Sequence, residues 1–307
     1  MSDVSHPLIG IDWGTTRLRA YLFRHDGNVQ ESRTLPYGVR HLPPDGFEGA
    51  FAEAVAGWPT VPVIASGMIG SRNGWHEAPY VDVPMDPMML STALMRITTS
   101  SGRWVHLVPG VRQPNNSPDV MRGAETQLIG ALDKGLSPMG QAVFVLPGTY
   151  SKWVTVRHGR IVDLMTWMTG ELYNVLLRHT ILATAIPEHS DHGTFVRGLL
   201  AARDAGPGGV HALLFSTRAL MLDGKLAANQ VPDYVSGLLI GEEFRAALAT
   251  ARVGAGMTVY LVGEDTLCDR YHSAAREFRL RVTPCSKDCG ARGLWLLATM
   301  AGLTRQS

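Results

Sequence analysis

Apolar and polar positions change period along this chain, and the changes mark its elements. Leu8-Ile9-Gly10-Ile11 is an apolar run ending on Asp12, followed by the turn composition Trp13-Gly14-Thr15-Thr16 and a second strand pattern from Leu18 to Phe23. His25-Asp26-Gly27-Asn28 reads as a hairpin turn, with Val29 to Leu35 as the partner strand. Phe47, Phe51, Ala54, Val55 and Trp58 then recur at helical spacing. Val61 to Ala65 predicts a short buried strand, Ser66 to Trp75 a loop with three glycines, Asp86 to Thr98 a helix and Trp104 to Val108 a strand. A Pro- and Asn-rich loop, Gly110 to Pro118, precedes a helix predicted over Met121 to Leu132.

After a linker-like stretch, Lys134 to Gly140, the second half begins as the first did. Ala142 to Leu146 is apolar, Pro147 to Ser151 has turn composition, Lys152 to Val156 reads as a strand, and His158-Gly159-Arg160 turns into Ile161 to Met165. A helical region from about Gly170 to Arg252 follows, broken near Pro187 and Gly206 to Gly209. A late strand (Thr258 to Val262), a helix (Thr266 to Phe278), a strand (Leu280 to Val282) and a helix (Asp288 to Met300) close the chain. The pattern predicts an α/β protein of two similarly begun lobes, 1–138 and 139–307, with mixed sheets flanked by helices and a cleft between them.

Composition trims the functional classes. The 307 residues are 45% hydrophobic and 18% charged, which suits a packed globular chain rather than a disordered one. A net charge of +1 provides no global field for nucleic acid or an anionic membrane, so neither is expected as a partner. No apolar run reaches the length of a membrane span, and Met1 to Pro7 lacks the basic and apolar regions of a signal peptide. Cys268, Cys285 and Cys289 are an odd three, read as free thiols, and a cytoplasmic location is expected. Glycine is in excess, 33 of 307 against a usual share of about 7%. That predicts many tight turns or close approaches.

The chemistry-bearing motifs are turns. Walker-type, dinucleotide, zinc-protease and nucleophile-elbow signatures are all missing from the sequence. Asp12, with Gly14, Thr15 and Thr16 behind it, can hold a metal ion or water and surround an anion with backbone N–H groups and hydroxyls. Read blandly, it is a capped hairpin. Gly148, Thr149, Ser151 and Lys152 offer a similar set at the matching position of the second half. Val262-Gly263-Glu264 leads from a strand into a helix, a turn that can pack against a purine and ribose.

Two phosphate-type turns and a late glycine turn resemble the actin-like (ribonuclease H-like) ATPase superfamily. More closely, the blocks IDWGTTRLRAYL, ASGMIGSRNGW, VMRGAETQLIGA, LPGTYSKWV, MTGELYNVLLRH and VSGLLIGEE are similar, in order, to those of the 2-dehydro-3-deoxygalactonokinase family. The resemblance runs from residue 9 to about 243. It implies ATP- and Mg²⁺-dependent phosphorylation of the C6 hydroxyl of 2-dehydro-3-deoxy-D-galactonate, in galactonate catabolism. On this reading Asp12 positions Mg²⁺, Gly14, Thr15, Thr16, Gly148, Thr149 and Ser151 contact phosphate, and Gly263 and Glu264 lie at the adenosine. Glu125 is favoured as the base over Asp119, with Glu171 a further candidate that could also touch substrate. Arg122, then Arg72, suit the substrate carboxylate because a planar guanidinium can meet it with two parallel bonds. Asn73 could take a hydroxyl or the keto oxygen, and Lys152 either phosphate or substrate.

Competing readings remain at this level. The chain could phosphorylate a related acid such as 2-keto-3-deoxygluconate, or act as a sensor that binds without turnover; a start at Leu8 leaves no room for the DNA-binding segment such regulators carry. His189-Ser190-Asp191-His192 has metal-like spacing but reads as a surface loop, and Thr149 to Lys152 mimics an acylating motif without its companion elements. The apolar helical region after Gly170 suggests a homodimer.

Overall fold

The computed structural model describes residues 8–114, 117–133, 140–183, 189–206, 208–285 and 288–304. The chain divides into two compact units, Met1–Gln141 with Val156–Leu164 and Ser286–Ser307, and Ala142–Thr155 with Met165–Cys285.

The first unit opens with β1 (Leu8–Trp13), β2 (Leu18–Phe23) and β3 (Val29–Leu35), then α1 (Gly46–Ala54), β4 (Val63–Gly67), β5 (Tyr80–Asp82), α2 (Pro87–Thr92), β6 (Met95–Thr98), β7 (Trp104–Leu107), β8 (Gly110–Gln113), β9 (Asp119–Met121) and α3 (Ala124–Asp133). Its main sheet runs β3-β2-β1-β4-β7-β6, and β5-β8-β9 form a small second sheet. β1 pairs antiparallel with β2 but parallel with β4, which in turn runs parallel to β7. β1 is buried on both faces and reads as a continuous apolar run for that reason. The edge strand β3 is mostly exposed and carries Glu31 and Arg33, which oppose edge pairing. Ile9, Ile11, Trp13, Val63, Ala65, Val105 and Leu107 form the core with Phe51 and Trp58.

The remaining chain supplies β10 (Gln141–Leu146), β11 (Ser151–Arg157), β12 (Arg160–Trp167), α4 (Thr169–His179), α5 (His192–Arg203), α6 (His211–Leu222), α7 (Val231–Ala249), β13 (Thr258–Leu261), α8 (Asp265–Glu277), β14 (Arg281–Pro284) and α9 (Cys289–Met300). The sheet order is β12-β11-β10-β13-β14, with β10, β13 and β14 parallel. Five strands of the first sheet, β3-β2-β1-β4-β7, thus have the same succession as β12-β11-β10-β13-β14. The expected duplication is real, as is the α/β class. Val143, Val145, Trp153, Phe195, Phe244, Val259, Leu261 and Tyr271 make the second core. α7 is buried along most of its length, so it shows no polar face.

Several expectations need correction. The boundary expected at 138/139 lies close to the first changeover between units, but the tail does not stay in the second: α9 belongs to the first unit. There it crosses α3 at very short range. A Cβ at Gly130 would overlap the Cys289 carbonyl oxygen, and one at Gly293 the Thr126 carbonyl oxygen. Gly198 and Gly237 play the same part between α5 and α7, against Tyr234 and Phe195 carbonyls. Part of the glycine excess therefore serves helix crossings. The helix predicted over Asp86 to Thr98 is a short helix and then β6, because Ala93 ends α2 and Met95 joins β7. The predicted loop at Gly110 to Pro118 holds β8, and the helix predicted from Met121 starts at Ala124 after β9. The linker expected at Lys134 to Gly140 lies outside the described residues except for Gly140. Among the described residues, no helix is long and apolar enough to cross a membrane.

Candidate active site

In the first unit the site residues collect at the carboxyl ends of β1 and β4. Parallel pairing sets Asp12 opposite Ser66 and Trp13 opposite Gly67. On the other side Asp12 pairs with Arg19 of β2. Burial pushes the Asp12 carboxyl above its ordinary range, and the charge of Arg19 opposes that rise. The turn behind it is closed by Gly14 N donating to Arg17 O at 2.8 Å. Val39 N and Arg40 N reach the Gly14 and Thr15 carbonyls at 3.2 and 3.3 Å, so the chain after β3 braces the turn. Gly38 lies so close that a Cβ there would overlap the Thr15–Thr16 peptide. Thr15 is half-buried; Thr16 and Arg17 are exposed.

The corner between β9 and α3 sits on the end of β4. Gly67 has φ +97° and a Cβ there would lie 2.6 Å from the Trp13 carbonyl oxygen; Gly123 also has φ +97° and its Cβ would lie 3.1 Å from Gly67 Cα. Only glycine meets both demands, a left-handed backbone and so near a neighbour. This corner presents Arg122 and Glu125. Arg122 Nη2 donates to the Ala78 carbonyl at 2.8 Å and to that of Pro79 at 3.4 Å, and the guanidinium stacks 4.3 Å over the Tyr80 ring. Its buried Nε and Nη1 have no hydrogen-bond partner within the protein. Both edges that could grip a carboxylate with two parallel bonds include Nη2, so the fork expected from sequence is half committed to backbone.

Glu125 is fully buried in the first turn of α3. Its Oε1 accepts from Gly123 N at 2.7 Å, while Oε2 has no partner within the protein. Burial pushes its carboxyl up to about 7; hydrogen bonds from the Gly123 and Glu125 backbone, the charge of Arg122 and the Thr126 hydroxyl pull the other way. A carboxyl that titrates near neutrality and has an open lone pair can accept a proton from a hydroxyl. Asp119 lies in β9 rather than in a loop before α3, and its side chain accepts from Val120 N at 2.6 Å. Arg72 is 87% exposed, with Glu77 3.9 Å away, and Asn73 is exposed as well. The loop that carries them passes beside Arg122, since a Cβ at Gly70 would lie 3.0 Å from Arg122 Nη1.

In the second unit two turns lie side by side at the ends of β10 and β13. Val262 N donates to Val145 O at 3.0 Å, and a Cβ at Gly263 would sit 3.7 Å from Pro147 O. A Cβ at Gly148 would meet only the Tyr150 carbonyl oxygen, at 3.9 Å, and Thr149 is exposed. α4 packs onto this turn: Glu171 N donates to Thr149 O at 3.2 Å, and a Cβ at Gly170 would lie 2.7 Å from Gly148 O. The Glu171 side chain is half-buried and Glu264, in the N-cap position of α8, is exposed. Lys152 Nζ donates to Thr166 Oγ1 at 2.7 Å. Ser151 departs from its expected role at phosphate, because it is fully buried and its hydroxyl donates to Glu243 at 2.9 Å.

Glu243 was missed in the sequence. It lies on α7, 92 residues from Ser151 and 90 from Trp153, and no local pattern links them. His189 and His192 are exposed, whereas Asp191 between them caps α5 by accepting from Thr194 N at 3.0 Å. No group of three or more His, Cys, Asp or Glu able to hold a metal occurs among the described residues.

Comparison with known proteins agrees with this architecture. A sequence model of the 2-keto-3-deoxy-galactonokinase family matches residues 12–297. The Escherichia coli K12 2-dehydro-3-deoxygalactonokinase is 36% identical over 284 residues, 91% of this chain and 93% of that protein. A solved structure from Sinorhizobium meliloti, described as a candidate 2-dehydro-3-deoxygalactonokinase, superposes with a TM-score of 0.84 at 33% identity, covering 95% of this chain and 98% of that one. The activator of 2-hydroxyisocaproyl-CoA dehydratase from Clostridium difficile shares the fold alone, at TM-score 0.50 and 12% identity. The duplicated sheets and the turns at their strand ends define a sugar kinase of the actin-like ATPase fold. Within that class, the chain belongs to the 2-keto-3-deoxy-galactonokinase family.

Proposed function

We propose that this kinase transfers the γ-phosphoryl group of ATP to the C6 hydroxyl of 2-dehydro-3-deoxy-D-galactonate, in galactonate breakdown. Support for the substrate comes from membership of the family and from the names its relatives carry. Support for the chemistry comes chiefly from one observation, the buried Glu125 with an open Oε2 and a carboxyl raised to about 7, three residues from the uncommitted Nε and Nη1 of Arg122.

In this mechanism Glu125 takes the proton as the C6 oxygen bonds to the γ-phosphorus and the bond to ADP breaks. Arg122 Nη1 meets the carboxylate of the sugar acid, with Tyr80 and the Ala78 carbonyl fixing its plane. Oε2 and Nη1 are both sealed from solvent, and Nη1 lies against Gly70, so the sugar acid must displace part of that wall to reach them. Gly14, Thr15, Thr16, Gly148 and Thr149 take phosphate oxygens; Gly263 and Glu264 take the adenosine side. Asp12 is a half-buried carboxylate at the end of β1 whose raised affinity for protons reflects poor solvation, and it fits Mg²⁺, which binds through one or two carboxylates together with substrate phosphates. Mg²⁺ would neutralise charge on the β- and γ-phosphate oxygens.

A panel of keto-deoxy sugar acids in an ADP-release assay tests the assignment. Steady release with 2-dehydro-3-deoxy-D-galactonate is expected, at a kcat/KM at least about tenfold above that for 2-keto-3-deoxygluconate. The product should show phosphorus coupling at C6 by NMR. A preference for the gluconate, or coupling at another carbon, would overturn it.

A further inference from the structure

A fully buried carboxylate in the second unit has no place in the mechanism above. Glu243 sits on α7, a helix packed on nearly every side, and four side-chain donors converge on it. Oε2 accepts from Ser151 Oγ at 2.9 Å and Trp153 Nε1 at 2.7 Å. Oε1 accepts from Tyr271 OH at 2.6 Å and from Thr169 Oγ1. These donors come from β11, α4 and α8.

Their places along the chain give the cluster its meaning. Ser151 is the residue at which the turn Pro147 to Tyr150 becomes β11, and Trp153 follows two positions on along that strand. Thr169 starts α4, whose Gly170 and Glu171 lie against Gly148 and Thr149 of the same turn. Glu243 therefore ties down the outgoing end of the turn and the helix that backs it. Gly148 has no side chain and that of Thr149 is exposed, so the middle of the turn draws its shape from what backs it. Backbone N–H groups bind an anion well only when they already point at it, because ordering them upon binding costs affinity. Weakening these bonds at position 243 would leave that turn loose.

We propose that Glu243 is the positioning residue for nucleotide binding, holding the turn Gly148 to Ser151 in its anion-accepting shape through Ser151 and Thr169. This rests on the reading of that turn as a phosphate site. The inference carries a distinctive signature: substitutions at the cluster should raise the KM for ATP and the Kd for ADP, while the KM for the sugar acid stays near normal.

Three variants of the full-length protein test it. Glu243→Gln keeps the volume but replaces four charge-assisted hydrogen bonds with neutral ones of roughly half the strength, so it loosens the cluster without emptying it. Thr169→Val removes one link and leaves the carboxylate with three donors. Gly148→Val acts on the turn itself, where nothing of the protein beyond the Tyr150 carbonyl stands in the way. Calorimetric titration with ADP should show about a tenfold weaker Kd for Glu243→Gln and Thr169→Val, with the KM for the sugar acid within about twofold of the parent. Gly148→Val should weaken ADP at least as much. If Gly148→Val weakens ADP and the other two variants do not, the positioning role is overturned. Unchanged ADP binding in all three overturns the phosphate reading of the turn, and the inference with it. A fall in active fraction with unaltered Kd in the remaining enzyme would mark Glu243 as a purely structural group and overturn the proposal as well. A circular-dichroism melt of each variant separates that outcome from loss of fold.

Discussion

Glu125 and Glu243 are both wholly buried glutamates on helices, one in each unit, and burial raises the carboxyl of each. They differ in what fills their lone pairs. Glu243 takes four donors, two on each oxygen, and its partners are the side chains of three other elements. Glu125 takes a backbone N–H and, at 3.5 Å, the Thr126 hydroxyl on one oxygen and nothing within the protein on the other. Burial alone therefore does not mark a carboxylate for chemistry. A saturated carboxylate is a fixed anchor, since moving a proton onto it would break bonds already made. An unsaturated one is held at a cost that a substrate hydroxyl can relieve.

The contrast gives an order of experiments. The largest effect is expected from Glu125→Gln, which should lower kcat by about 10²- to 10⁴-fold while the protein stays folded, as measured in steady-state ADP release. Near-normal turnover would remove the difference in role between the two residues. Stability should then separate them in the opposite sense. Glu243→Leu strands the Ser151, Trp153, Thr169 and Tyr271 donors and should cost about 3 kcal/mol or more in urea unfolding. At pH 8, Glu125→Gln should be neutral or stabilising, because it removes a poorly solvated charge.

Titration sharpens the same point. The Glu125 carboxyl lies near 7 when folded against an ordinary 4.5, so its contribution to stability is fully present below 4.5 and is lost as pH rises through about 7. Relative to the parent, Glu125→Gln should accordingly gain up to about 3 kcal/mol between pH 4 and pH 8. Activity runs the other way, since the base works only when ionised: kcat/KM should fall about tenfold per pH unit below 7 and level off above it. A profile flat from pH 5 to 8 would contradict this. The smallest expected effect is that of Arg122→Lys. An ammonium loses the stacking on Tyr80 and the contact to the Ala78 carbonyl, so the KM for the sugar acid should rise about tenfold with that for ATP little changed.

Much of the site was readable along the chain. Asp12 and the Gly14 turn follow an apolar run, and the Gly148 turn repeats that arrangement, because a buried strand that ends in a polar turn leaves the same local pattern wherever it occurs. Arg122 and Glu125 stood in one short block, and their partner-free atoms required only knowing what the corner between β9 and α3 touches. That Asp119 lies in a strand was hidden because β8 and β9, three or four residues long, are too short to show alternation. Residue type and a glycine-rich loop do not tell which way Arg72 and Asn73 face, and both are exposed. Ser151 misled for a deeper reason: its hydroxyl was taken for a ligand when its true partner lay on a helix far along the chain.

The sequence by itself determined two α/β halves that begin alike, the positions of their glycine turns and the family to which they belong. These are local matters of period, turn chemistry and short blocks of adjacent residues. Only the tertiary structure decided that α9 returns to the first unit through the paired glycines of α3 and α9, that Ser151 serves Glu243, and that one buried glutamate is saturated while the other is open. Each of those depends on which groups meet across long separations in sequence, and the free energy of a buried polar group is set by its partners rather than by its own identity.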